Sequence, residues 1–351
     1  MKTKNKLLTL LILSSGAAAA TALINKAVKL SAVSKHILES RVSLCYRWRL
    51  GNIHYTKIGE GKPLLLVHDL EPASSSYEWH EVRKRLAKDH TVYTIDLLGF
   101  GRSEKPNLTY TNYLYVQLLS DFIKSEIGHR TDILATGDAA SLAVMACGNS
   151  PELFDRLILV NPESMLSCSM VPGKNAKLYK FILDLPIAGT LIYTCQQPPE
   201  HCRYFQNIYY SNPYSVTARQ VDAYYEAAHL GESPKSVYAS VKCNYTKCNI
   251  INSLKKIDNS IYLLGGADLD DMENTLEEYK TYNPAIESVL IPDTKHLPQL
   301  ESPAAFYEIC ETFWDQNRSR MFHVKHCITP APLIYLRRFT NASYWLSLII
   351  F

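Results

Sequence analysis

Strong charge of either sign is the first thing this sequence lacks. Its 351 residues carry 37 lysines and arginines against 34 aspartates and glutamates, a formal net charge of +3. No basic stripe follows the first residues, which argues against a nucleic-acid partner. An ordered cysteine framework is missing as well. The nine cysteines (Cys45, Cys147, Cys168, Cys195, Cys202, Cys243, Cys248, Cys310 and Cys327) are odd in number and show no repeated C-x-x-C. Cys243 and Cys248 have no second pair to complete a metal site, so free, partly buried thiols are expected, with no metal and no cofactor.

Long apolar runs are absent too, with one exception. Lys2, Lys4 and Lys6 precede Leu7–Asn25, nineteen residues without a charge, and Lys26 and Lys29 follow. A membrane span needs roughly 20 apolar residues, so residues 1–26 are expected to anchor the chain. The Leu-rich start and Ala17–Ala20 keep a cleaved secretory signal as the alternative, and basic flanks on both sides leave orientation open. What the chain does have is a globular composition, 47% hydrophobic and 20% charged.

After a linker expected over 27–45, strand and helix patterns alternate. Tyr46–Leu50 and Ile53–Ile58 read as a hairpin about a Gly51-Asn52 turn. Leu64–Val67 is a short apolar run, typical of a strand covered on both faces, and it ends in His68-Asp69-Leu70. A helix over Tyr77–Lys88, a strand over Thr91–Ile95 and a helix over Tyr110–Ile127 follow. Next come a strand over Asp132–Thr136, a turn, a helix over Leu142–Cys147 and a strand over Arg156–Val160. Strands resume at Ser260–Leu264 and Glu287–Ile291, before a helix from Pro303 to Asp315. This order predicts an α/β fold with a doubly wound, mostly parallel sheet. Residues 163–258 lack the alternation and hold ten of the 23 tyrosines, so a helical cap is expected between core segments 46–162 and 259–318. Packing between cap helices explains any single one of these tyrosines better than pocket lining does.

The tail, 319–351, is unlike the rest. Met321-Phe322-His323-Val324-Lys325-His326 can be encoded by ATGTTTCACGTGAAACAT, its own reverse complement, and so resembles a bacterial chromosome-partition site read through as protein. His323 and His326 are then not ligands. Tyr344–Phe351 is too short to span a membrane.

Four motifs in order resemble the α/β-hydrolase family. Leu64-Leu-Leu-Val-His68-Asp69 is similar to its strand followed by His-Gly, and Asp96-Leu-Leu-Gly-Phe-Gly-Arg-Ser103 to the turn after the next strand. Leu264-Gly-Gly-Ala-Asp268 resembles the strand end that supplies the acid, and His296-Leu-Pro-Gln-Leu-Glu-Ser-Pro303 the segment with the catalytic histidine. The resemblance implies His296 as base and Asp268 as its orienting acid, with Asp270 and Asp271 as competitors and Glu163 in reserve. It implies an oxyanion hole from the N–H of Leu70 and that of the residue after the nucleophile.

The nucleophile elbow departs from the pattern, because no serine or cysteine stands there. With Gly137 and Ser141 as small flanks the tip is Ala139, which is inert. With Thr136 and Ala140 as flanks it is Asp138, the aspartate nucleophile of the haloalkane dehalogenase and epoxide hydrolase branch, and Ala139 then gives the second hole N–H. His68-Asp-Leu-Glu-Pro-Ala-Ser-Ser-Ser-Tyr-Glu-Trp79 resembles that branch's stretch, which marks His68, Asp69 and Trp79 as substrate-binding candidates. Asp69 replaces the glycine after the histidine and brings a negative charge to the hole. The expectation is a membrane-tethered hydrolase of a small, largely apolar substrate, with Asp138, His296 and Asp268 as triad. The alternative is an inactive fold that binds a ligand or partner.

Overall fold

In the computed structural model, residues 2–39, 42–196, 205–231 and 233–315 are described, with side chains of the first helix from Gly16 onward. The tail motif and Tyr344–Phe351 lie outside the described residues. So do the side chains of Leu7–Ser15, the first half of the expected anchor. Two compact units divide the chain, Met1–Cys310 and Glu311–Phe351. Of the second only Glu311–Asp315 is described, the end of the helix Pro303–Asp315, and the 318/319 boundary lies outside the described residues.

Eight strands build one sheet: β1 (Leu44–Trp48), β2 (Gly51–Ile58), β3 (Lys62–Val67), β4 (His90–Ile95), β5 (Thr131–Thr136), β6 (Phe154–Val160), β7 (Ser260–Gly266) and β8 (Glu287–Ile291). Their order is β1-β2-β4-β3-β5-β6-β7-β8. β2 pairs antiparallel with β1 and β4, and every other pairing is parallel. The central strands carry continuous apolar runs because helices cover both faces. Leu64–Val67 and Leu157–Val160 have no solvent exposure.

Three local expectations shift. The hairpin turns at Arg49-Leu50, since Trp48 pairs with Gly51. A Cβ at Gly51 would crowd Leu98 and Glu104, and the Asn52 N–H is taken by the Glu104 carboxylate. The single helix expected over Tyr77–Lys88 is a 3-10 turn, Ser76–Trp79, and a short helix, Arg83–Leu86, because the Ser75 hydroxyl caps the first turn at the Tyr77 N–H. Residues 27–33 are not linker: they prolong a helix running over Lys2–Val33. Its last turns dock on the segment between β6 and β7, where Lys29 donates to the Gly231 carbonyl at 2.5 Å and Lys35 pairs with Asp222 at 2.6 Å.

That segment is helical, with helices at Ala176–Asp184, Ala188–Gln196, Ala218–His229 and Pro234–Lys242 among others. Tyr193, Tyr210, Tyr224 and Tyr238 are buried in it, and Phe205 meets Tyr224 edge-on at 4.5 Å. Among the described residues no single helix is long and apolar enough to cross a membrane. The bent pair Ala176–Asp184 and Ala188–Gln196, at 104°, has that length and composition together.

Leu66, at the centre of β3 with no exposed surface, gives a direct check. Leu66→Ala is expected to cost about 2–5 kcal/mol, read from urea unfolding of the full chain.

Candidate functional site

Parallel strands deliver their C-terminal ends to one edge of the sheet, where ligands of such folds bind. Here that edge gathers Asp69 after β3, Gly137 and Asp138 after β5, Glu163 after β6, Asp268 after β7 and His296 after β8.

The sharp turn from β5 into the helix Asp138–Asn149 is made by Gly137, at φ +53° and ψ −127°. Side chains rarely adopt such a conformation, so glycine is the residue suited to it. The tip is therefore neither Asp138 nor Ala139, and both registers read from the sequence are one or two residues too late. Ala139 is wholly buried in the first helical turn. A Cβ added to Gly137 would fall inside the carboxylate of Asp69.

That carboxylate is held tightly. Its Oδ1 accepts the N–H of Leu70 at 2.7 Å and the N–H of Asp138 at 2.8 Å. The hole pair is thus Leu70 with Asp138, not with Ala139, because the tip lies at Gly137. Oδ2 has no hydrogen bond among the described residues and is not sealed from solvent. Burial, and then the charges of Asp138, Glu78 and Glu71, raise the Asp69 carboxyl well above the usual carboxylate range.

The loop bearing Asp69 is braced from below. Its N–H donates to Glu78 Oε2 at 3.1 Å, and Thr136 Oγ1 donates to the same oxygen at 2.9 Å. His68 Nε2 accepts the Leu97 N–H at 3.0 Å, which leaves the ring proton on Nδ1, 2.6 Å from the Asp69 carbonyl oxygen. His68 and Trp79 have no exposed surface, and Trp79 packs against Phe306 with ring centres 6.3 Å apart. Both expectations of substrate contact are corrected: the two side chains are buried in the core, and His68 braces the loop through its hydrogen bonds. Only Asp69 of the three faces the edge.

Asp138 points elsewhere. Its Oδ1 pairs with Lys247 Nζ at 2.6 Å, and Lys247 also reaches Ser167 Oγ at 2.9 Å and Glu163 at 3.5 Å. Burial pushes the Asp138 carboxyl up to about 6 despite this pairing. Lys247, which burial alone would lower, is held at about 12 by Asp138 and Glu163. Ser141 donates back to the Asp138 carbonyl at 2.8 Å, as a helix-terminal hydroxyl does.

His296 sits at the mouth of this edge, open to solvent, with its ring 5.3 Å from that of Tyr209. Surrounding protein lowers its pKa by desolvation, and Glu163 is the carboxylate that opposes this. The shift favours the neutral imidazole, the form that can act as a base. Asp268 is exposed and accepts a hydrogen bond from the Ser211 hydroxyl. Glu163 lies near enough to His296 to oppose the lowering of its pKa, while among the described contacts the one hydrogen bond of the Asp268 carboxylate is from Ser211. Asp270 and Asp271 are exposed, Asp271 directly preceding the helix Met272–Tyr282.

Two supports of His296 escaped the sequence reading. Asn161, at φ +46°, donates to the carbonyls of Lys295 and His296 at 2.9 and 3.0 Å and accepts the Gly266 N–H at 2.8 Å. Glu301 accepts the N–H groups of Lys295 and Ser211, both at 2.7 Å. Asn161-Pro162 at a strand end was the available signal, since Asn tolerates positive φ.

Comparison places the molecule. A family model described as the alpha/beta hydrolase family matches residues 64–309, and the chain belongs to that family. A 2-hydroxy-6-oxo-6-(2'-aminophenyl)hexa-2,4-dienoic acid hydrolase of Metapseudomonas resinovorans is 31% identical over 116 residues, 32% of this chain and 39% of that protein. A soluble epoxide hydrolase of Corynebacterium sp. (strain C12) is 29% identical over 122 residues, 34% of this chain and 39% of that protein. The matched stretches thus span well under half of these relatives. A solved structure, a membrane phospholipase A described as a bacterial virulence factor, superposes with a TM-score of 0.63 at 19% identity, covering 90% of this chain and 99% of that one. It shares the fold.

The fit between Gly137 and Asp69 is testable by stability. Gly137→Ala is expected to cost more than the roughly 1–3 kcal/mol of backbone strain alone, because the carboxylate must also move. With Asp69→Gly already present, only the backbone part should remain, a coupling read from urea unfolding of the two single variants and the double variant.

Proposed function

We propose that the chain is a hydrolase that opens small, largely apolar substrates with a carboxylate rather than a serine or cysteine. The observation that carries this is the site's division of labour. A histidine with a lowered pKa feels the charge of Glu163, and two backbone N–H groups converge on one carboxylate oxygen of Asp69. Carboxylate chemistry suits carbon centres that carry a leaving group, such as epoxides and haloalkanes. The epoxide hydrolase relative supports the same class. The second reading, a ligand-binding protein without turnover, is favoured by Gly137, which presents no side chain at the elbow.

Turnover separates the two. The full chain is expected to hydrolyse 1,2-epoxyhexane or 1-bromohexane, to ignore a fluorophosphonate serine probe, and to lose at least about 10³-fold in rate with His296→Ala. Retained binding of an apolar fluorescent probe without any turnover would establish the second reading instead.

The N-terminal helix serves, in this reading, as a membrane tether. Support comes from the uncharged run Leu7–Asn25 and from apolar side chains exposed on the cap, including Val171, Leu178 and Phe181, beside the exposed Lys174 and Lys177. Such a mixture suits a lipid interface. Expressed full-length protein is expected to stay with the membrane fraction through 1 M salt and alkaline carbonate; release by carbonate contradicts an inserted anchor.

A further inference from the structure

We propose that Asp69, delivered by the loop after β3 instead of the turn after β5, is the nucleophile of this site. The inference rests on the hydrolase reading above and names the atom that does its first step.

Two departures from the family pattern explain each other. The glycine expected after His68 is an aspartate, and the side chain expected at the elbow is missing. The Gly137 Cβ that a conventional nucleophile would need falls inside the Asp69 carboxylate. Either change alone leaves a clash or a vacancy, whereas together they return one reactive group to one place. The hydrogen bonds fit this role. Oδ1 takes the N–H groups of Leu70 and Asp138, the pair that an oxyanion hole requires, and Oδ2 is left without a partner. No other carboxylate offers this. Asp138 is committed to Lys247 and gives its own N–H to Asp69. Burial beside Asp138, Glu78 and Glu71 makes Asp69 more basic than an ordinary aspartate, and therefore more nucleophilic once ionised.

The chemistry balances without a cofactor. Oδ2 attacks the substrate carbon, a carbon–oxygen bond forms, and the halide leaves with its electron pair. With an epoxide the ring oxygen leaves as alkoxide and takes a proton from water. In the second step His296 removes a proton from water, and the hydroxide adds to Cγ of the ester. Negative charge then develops on Oδ1, where the two N–H donors already stand. Collapse breaks the Cγ–Oδ2 bond, the alcohol departs with Oδ2 and the proton from His296, and the water oxygen stays in Asp69.

Oxygen bookkeeping tests this. Full-length protein is given a single turnover of 1,2-epoxyhexane or 1-bromohexane in H2-18O, then digested and read by mass spectrometry. The label is expected in the Asp69 carboxyl and absent from the first-turnover alcohol, and His296→Ala should accumulate an alkyl ester on Asp69. Asp69→Gly, which restores the residue the family pattern has there, should lose at least about 10³-fold in turnover. Turnover with the label or adduct on Asp138, or turnover that survives Asp69→Gly, overturns the assignment to Asp69 and leaves the hydrolase standing. The absence of both turnover and adduct with either probe overturns the hydrolase reading, and this inference with it.

Discussion

Two backbone N–H groups, on Leu70 and Asp138, point at one spot on the C-terminal edge of the sheet, and Asp69 Oδ1 fills it. Little else in the site is free to vary once that contact exists. The elbow must be glycine, because the carboxylate stands where a Cβ would be. The loop after β3 is braced from below by Glu78 and His68, both buried and hydrogen-bonded, respectively, to Thr136 at the end of β5 and to Leu97 just after β4. An anion in a nest of N–H groups is a stable arrangement. It is costly only in the neighbouring carboxylates it must tolerate.

Those neighbours set the electrostatics of the edge. Asp69, Glu71, Asp138 and Glu163 bear on one another, and Lys247 reaches into the group from the end of the cap segment. Lys247 ties the turn after β5 to the residue after β6, so the cap is coupled to the core through charge as well as packing. Glu163 is shared between Lys247 and His296. Asp268, turned to Ser211 at the surface, stands outside this network.

His296 is placed by backbone rather than by its own side chain. Asn161 and Glu301 hold the loop at both ends, so the ring can present its nitrogens without spending one on anchorage. The N-terminal helix and the turn after it dock on the helical segment between β6 and β7, through Lys29 and Lys35 respectively.

The sheet, its mostly parallel order and the approximate strand bounds were legible in the sequence, because apolar runs such as Leu64–Val67 and Leu157–Val160 are set by local burial and periodicity. His296 and the anomaly at the elbow were legible for the same reason, being tied to strand ends that a pattern locates. The tip was not. A shift of one residue changes which side chain faces the cleft, and only the backbone angles of Gly137 fix that register. Nor was the burial of His68 and Trp79, since it depends on which of several nearby groups the folded chain turns inward. Sequence alone determined that this edge carries a histidine, several carboxylates and no serine or cysteine at the elbow. Tertiary structure decided that Asp69, from a different strand, fills the space left by Gly137, because that meeting depends on how β3 and β5 lie side by side.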